Sequence, residues 1–165
     1  MSKTNRGGFS IVELLIVVSV LAILASIVLI AYNAVVSRAQ ETAVRHDISN
    51  IASQLKVESV FNRRFPTTAQ LKTTGIHINK QTYGVNPVGA TIFYCVTDDG
   101  LNFSIVARVK SSIALASLST TDTVTNYTGS PTAPQLCIDS GLPGPTSNVN
   151  YQGFTENGSW YAWVL

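Results

Sequence analysis

Gly7-Gly8-Phe9-Ser10-Ile11-Val12-Glu13-Leu14-Leu15-Ile16-Val17-Val18 opens a stretch that then runs uncharged to Val36. Of the eighteen residues from Leu14 to Ala31, thirteen are Leu, Ile or Val, and the polar ones are Ser19 and Ser26. On a membrane-insertion scale those thirteen supply about −4 to −8 kcal/mol. A carboxylate at a helix centre costs about 2.5 to 3.5 kcal/mol, and Glu13, near the end, less. Insertion wins, and Phe9 to about Ile30 meets the roughly 20 residues that the hydrocarbon core requires. Lys3 and Arg6, the charges ahead of the span, are expected to stay cytoplasmic and place the downstream chain outside. A secretory signal peptide shares the basic start and the apolar run, with Ala22, Ala25 and Ala31 as conceivable cut sites. That reading leaves Glu13 without a role.

Working outward, Gly and Pro are absent from Phe9 through Phe65, although the chain holds eleven Gly and six Pro. The gap predicts one continuous helix, stopped by the restriction that Pro66 places on Phe65. Carried to about Arg64, it would be roughly 80 Å long at 1.5 Å per residue. Val44, Ile48, Ile51 and Leu55 recur every three or four residues, an apolar stripe meant for burial under a sheet. Glu41 and Arg45 are spaced as an i,i+4 ion pair.

The carboxyl-terminal half changes period. Residues 66 to 90 mix turn formers with a polar segment, predicting a loop with one helical turn (Thr67 to Lys72) and one short strand. Thr91 to Thr97, Asp98-Asp99-Gly100 and Leu101 to Val109 read as a β-hairpin. One face of its second strand carries Leu101, Phe103, Ile105, Ala107 and Val109, expected to cover the helix stripe, with Val106 an exception on the other. Ile113 to Leu118 predicts a further strand, and the Ser-, Thr- and Pro-rich Ser119 to Gln135 a long exposed loop. Val149 to Thr155 and Ser159 to Val164, joined through Asn157-Gly158, predict a second hairpin. Trp160, Tyr161 and Trp163 within it read as packing residues before they read as a carbohydrate-binding strip.

Composition bounds the function. The chain has 165 residues, eleven basic and nine acidic, and net charge +2. Without Lys3 and Arg6 nine of each remain, so no electrostatic footprint for nucleic acid is present. No nucleophile, phosphate-loop or paired-carboxylate motif appears, so no catalytic residue and no cofactor is expected. His46 and His77 are isolated, so no metal site is expected. Asp98 and Asp99 read as an acidic turn before a cation site. Asn102, Asn126 and Asn157 head sequons.

Gly8-Phe9-Ser10-Ile11-Val12-Glu13-Leu14-Leu15-Ile16-Val17 resembles the amino terminus of type IV pilins and of the related pseudopilins of type II secretion and DNA-uptake machines. The resemblance covers roughly residues 1 to 40. It implies a leader peptide, residues 1–8, removed by a prepilin peptidase that cuts after Gly8. It also implies N-methylation of Phe9 and an assembly role for Glu13, the acid at the fifth mature position. Many relatives carry a proline where Ile30 stands here. The implied fold is an α+β pilin-like lollipop. A transmembrane and filament-core helix (9–36) continues as an amphipathic half (37–65), packed on an antiparallel sheet of about four strands in a β-rich head (66–165).

Cys95 and Cys137 both fall in the part placed outside the cytoplasm, where an even count favours a disulfide. The resemblance supports the pairing, since many pilins staple their carboxyl-terminal region. The expected function is that of a structural subunit, not an enzyme: single-pass in the cytoplasmic membrane, then in a surface filament serving adhesion, motility or secretion. Expected partners are further copies in a helical filament, minor pilins, the prepilin peptidase, the membrane assembly platform and, before assembly, lipid. Two alternatives stay open: a pseudopilin, and a membrane-anchored binding module using the 119–135 loop or the terminal aromatics.

Overall fold

A computed structural model describes residues 10–84, 89–109, 114–121, 123–130 and 132–165. The expected leader (1–8), the Gly8–Phe9 cut and Ile113 lie outside the described residues. Two units emerge from the packing, residues 1–38 and 39–165, and the fold class is α+β: a long apolar amino-terminal helix followed by an antiparallel sheet.

Helix α1 spans Ile11–Asn62 without interruption, passing through Ile30. It ends a little before the expected Arg64. Arg63 turns into the left-handed region (φ 57°), and the Phe65 amide donates instead to the Gly100 carbonyl at 2.8 Å. Pro66, which cannot continue a helix, follows at once. In the first unit every described residue from Ser10 to Val35 is exposed.

The second unit begins within α1, whose Val44, Ile48, Ile51, Ala52 and Leu55 are buried. Each of the Val, Ile and Leu side chains, fully removed from water, contributes roughly 1.5–3 kcal/mol. They pack with one face of a five-stranded sheet ordered β4-β3-β2-β1-β5, all neighbours antiparallel. The strands are β1 (Ile92–Thr97), β2 (Phe103–Arg108), β3 (Ala114–Leu118), β4 (Val124–Tyr127) and β5 (Val149–Gly153). Inward-facing Ile92, Tyr94, Val96, Phe103, Ile105, Ala107 and Leu115 complete that core.

The other sheet face is covered too. Cys95, Val106, Ala116 and Val149 pack with Leu136, Cys137 and Leu142, carried by and beside helix α3 (Gln135–Asp139). This second layer explains Val106: burial on both faces removes the clean alternation of a one-sided sheet.

Four sequence expectations need correction. Leu101 does not join the core but is 60% exposed, because it sits in the turn before β2 begins at Phe103. The 119–135 segment is not all loop: Val124–Tyr127 forms β4 at the sheet edge, its β-prone residues outweighing the Ser/Thr-rich surroundings. The sheet therefore has five strands, in keeping with the antiparallel sheet of about four that was expected. Of Val149–Thr155 only Thr155 pairs within 159–164, with Trp160. Val149–Gly153 joins β1 as β5, leaving only Thr155–Glu156 (β6) and Ser159–Trp160 (β7) in the hairpin. That turn places Asn157 and Gly158 at φ 47° and 78°, the geometry Asn-Gly favours. Finally, the expected short strand before residue 90 is reduced, among the described residues, to an isolated Tyr83–Val109 bridge. The expected helical turn is α2, Thr68–Leu71, with a capping box on Thr67 and Gln70.

Candidate functional site

The candidate site is the start of α1. Glu13 lies in its first turn, where a carboxylate complements the positive end of the helix dipole. The Leu14 amide donates to the Ser10 carbonyl at 3.1 Å, closing the first helical turn. Beyond Glu13 the helix presents only apolar side chains until Tyr32, apart from two serines. Both serines are satisfied locally: Ser19 Oγ donates to the Ile16 carbonyl and Ser26 Oγ to the Ala22 carbonyl, each at 2.8 Å. A span bonded in this way offers lipid no unpaired donor. By length and composition α1 is able to cross a membrane. Gly8 and Phe9, the other two residues expected at this site, lie outside the described residues.

The head is fastened to the second half of α1 by polar ties as well as by the core. Arg45 donates to Glu41 Oε1 (2.8 Å), to the Val124 carbonyl (2.7 Å) and to Asn126 Oδ1 (2.5 Å). The expected i,i+4 pair is thus also the clasp on edge strand β4, reaching the side-chain oxygen of Asn126. On the other flank Asp47 Oδ2 accepts from the Asn79 amide (3.3 Å) and the Tyr83 hydroxyl (3.1 Å). Burial first, and the Asp47 charge second, push the Tyr83 hydroxyl far above its ordinary value. Tyr94, donating to the Pro66 carbonyl at 2.7 Å, is likewise raised by burial.

Cys95 on β1 and Cys137 on α3 are fully buried and disulfide-bonded, with Cα atoms 5.7 Å apart. Next to the bridge, Tyr127 donates to the Ser130 carbonyl at 2.7 Å, and burial with the nearby Asp139 charge raises its hydroxyl to about 12. The Ser130 amide (2.8 Å) and Gln135 hold the Asp139 carboxyl below its usual range. Space is tight here: a Cβ on Gly129 would lie 2.5 Å from both Asp139 Cβ and the Tyr127 hydroxyl.

Asp98 and Asp99 serve the β1–β2 turn. Asp99 Oδ1 accepts from the Thr97 hydroxyl and from the Leu101 amide (2.9 Å), and these bonds lower its carboxyl. Asp98 Oδ1 accepts from Asn150 at 2.6 Å. Among the described residues no three His, Cys, Asp or Glu side chains cluster as metal donors would. Tyr161 and Trp163 stack at 6.2 Å, and both tryptophans also pack on other rings. Trp160 meets Tyr83 edge-on at 5.7 Å, and Trp163 meets Phe154 at 5.0 Å.

Residues 3–29 match the family model described as the prokaryotic N-terminal methylation motif, the signature of type IV pilins and pseudopilins. With the long apolar helix, the motif supports a membrane-anchored protein of type IV pilin or pseudopilin type. No curated protein and no solved structure matches the chain.

Proposed function

We propose that this chain is the structural subunit of a type IV pilus-like filament. The head faces away from the cytoplasm while α1 waits in the membrane, because Lys3 and Arg6 hold the leader inside. A prepilin peptidase cuts after Gly8, and Phe9 becomes the methylated amino terminus. Hydrolysis of that peptide bond leaves an ammonium on Phe9, four residues ahead of Glu13. In a bundle of such helices the ammonium of one copy faces the carboxylate of its neighbour. In apolar surroundings their attraction is several times larger than in water, although desolvation takes much of it back. The pair therefore sets register and recruits the next copy more than it stabilises the bundle. Segment 9–36 then forms the filament core, 37–65 carries the head, and 66–165 coats the outside.

The observation that carries this reading is the methylation motif standing at the head of a helix whose first half is exposed and whose second half is built into a folded domain. Glu13→Ala is the test. The variant should stay in the membrane with a folded head yet fail to enter sedimentable assemblies. Normal assembly of that variant contradicts the proposal. The same motif heads pseudopilins, and long surface filaments containing this chain separate a pilin from a short periplasmic pseudopilin piston.

A further inference from the structure

Beside the terminal hairpin the sheet leaves a hollow. Phe93 on β1 stands directly across from Gly153 on β5, and Cys95 on β1 from Tyr151. Cross-strand partners share a face, so both rings rise from the side that carries the disulfide, opposite α1. Because Gly153 has no side chain, the space between the two rings stays open. A Cβ there would lie 2.5 Å from the Ala90 Cβ, so the chain entering β1 closes on this position only because it is glycine. The result is a cavity of about 360 Å³, within the range of small-ligand pockets. Tyr151, on its wall, is 47% exposed.

The β6–β7 hairpin and the residue after it supply the other wall. Tyr161 lines the cavity, stacks one face of its ring on Trp163, and donates from its hydroxyl to Glu156 Oε2 at 2.6 Å. That bond is the first cause that raises the Tyr161 hydroxyl above its ordinary value, and donation to a carboxylate leaves the ring richer in electrons. Glu156 is the one carboxylate among the described lining residues, and no Lys, Arg or His stands with it there. Other polar groups of the wall are already bonded within the chain. Gln152 Nε2 donates to the Gly153 carbonyl at 2.8 Å, and Thr155 Oγ1 accepts from the Thr91 amide at 2.7 Å.

The chemistry selects the ligand. Three rings and a carboxylate give a phosphate or other anion nothing to bind. A saccharide requires several fixed hydrogen-bond partners and meets groups that are already bonded. A cation gains from both kinds of wall, since aromatic faces attract it through their quadrupoles and the carboxylate attracts it by charge. Methyl groups on that cation match the apolar rings and demand no acceptor. We propose that the cavity between Phe93, Tyr151, Tyr161 and Glu156 binds a methylated ammonium group of the choline type. The site belongs to the head alone and stands whether or not the chain polymerises.

The test titrates choline chloride into the full chain by calorimetry, in a polyoxyethylene detergent that carries neither an ammonium nor a saccharide. Choline should bind saturably, and dimethylbutanol, its uncharged carbon isostere, about tenfold more weakly. Tyr151→Leu and Glu156→Gln should each weaken choline binding by about the same factor. Both side chains are exposed, so the melting temperature of each variant should stay at the wild-type value. Glycerophosphocholine, the headgroup of a choline lipid, separates two sources of the same group. Binding as tight as that of choline fits a lipid, and weaker binding fits a free methylated ammonium; either result supports the site. Equal binding of choline and dimethylbutanol overturns the proposal, as does the absence of saturable choline binding. Choline binding that survives both Tyr151→Leu and Glu156→Gln overturns it too. Saturable binding of methyl galactoside with none of choline would make the cavity a saccharide site and likewise overturn it.

Discussion

The two halves of α1 are one helix with two different kinds of surface. From Leu14 to Ala31 side chains are exposed and, Ser19 and Ser26 apart, apolar on every face, and those two hydroxyls are tied back to the helix. From Ala39 to Asn62 one stripe is buried at about zero exposure, and charged residues clasp a sheet. The same backbone thus serves as an anchor that needs an outside partner and as a pillar that has its partner within the chain. Substitutions should therefore act on different observables in the two regions.

The largest contrast is expected from the disulfide. Closing a 42-residue separation contributes about 4 kcal/mol in the chain-entropy account. Replacing Cys95 and Cys137 together by Ala should lower the melting temperature of the detergent-solubilised chain substantially. Fractionation should still recover it from the membrane, since the span takes no part. A double variant that melts like wild type would show that the second layer of the head is held by packing alone.

Next comes the matched pair Ile48→Ala and Ile23→Ala. Ile48 is fully buried, so truncation should cost about 3 kcal/mol of head stability in denaturant titrations. Ile23 is exposed, and its truncation should leave the same titration unmoved. Equal effects at both sites would erase the distinction between the halves.

Alkaline pH gives a smaller, graded effect. Tyr83, Tyr94 and Tyr127 all have hydroxyls raised above the ordinary value of 10.0. The folded head holds those protons more tightly than the unfolded chain does. Their contribution is complete below pH 10 and is lost as pH climbs toward the folded values, about 12 for Tyr127. Melting temperatures recorded from pH 8 to 12 should fall only above 10, and Tyr94→Phe should flatten that fall. The smallest change is expected at α2, where Thr67→Ala removes the capping box and should cost about 1 kcal/mol.

Much of this was legible in the residues because it depends on local rules. The Gly/Pro gap gives the helix, the stripe from Val44 to Leu55 gives its buried face, and the run from Ile92 to Arg108 gives the first hairpin. What escaped depends on partners distant in sequence. Val124–Tyr127 is a strand because β3 lies beside it and Arg45 reaches its carbonyl, neither of which a Ser/Thr-rich window reveals. Val149–Gly153 pairs with β1 rather than with the closer 159–164 segment, a choice between two registers that alternation alone leaves open. Of the candidate site, Glu13 stood out as a carboxylate beside an apolar run.

Mass spectrometry of the mature amino terminus, on chain recovered from the assembled state, tests the filament account most directly. A polypeptide that begins with methylated Phe9 and retains the whole of α1 is the expected result. A chain that begins beyond the apolar run, or one that still carries residues 1–8 in a working assembly, contradicts it.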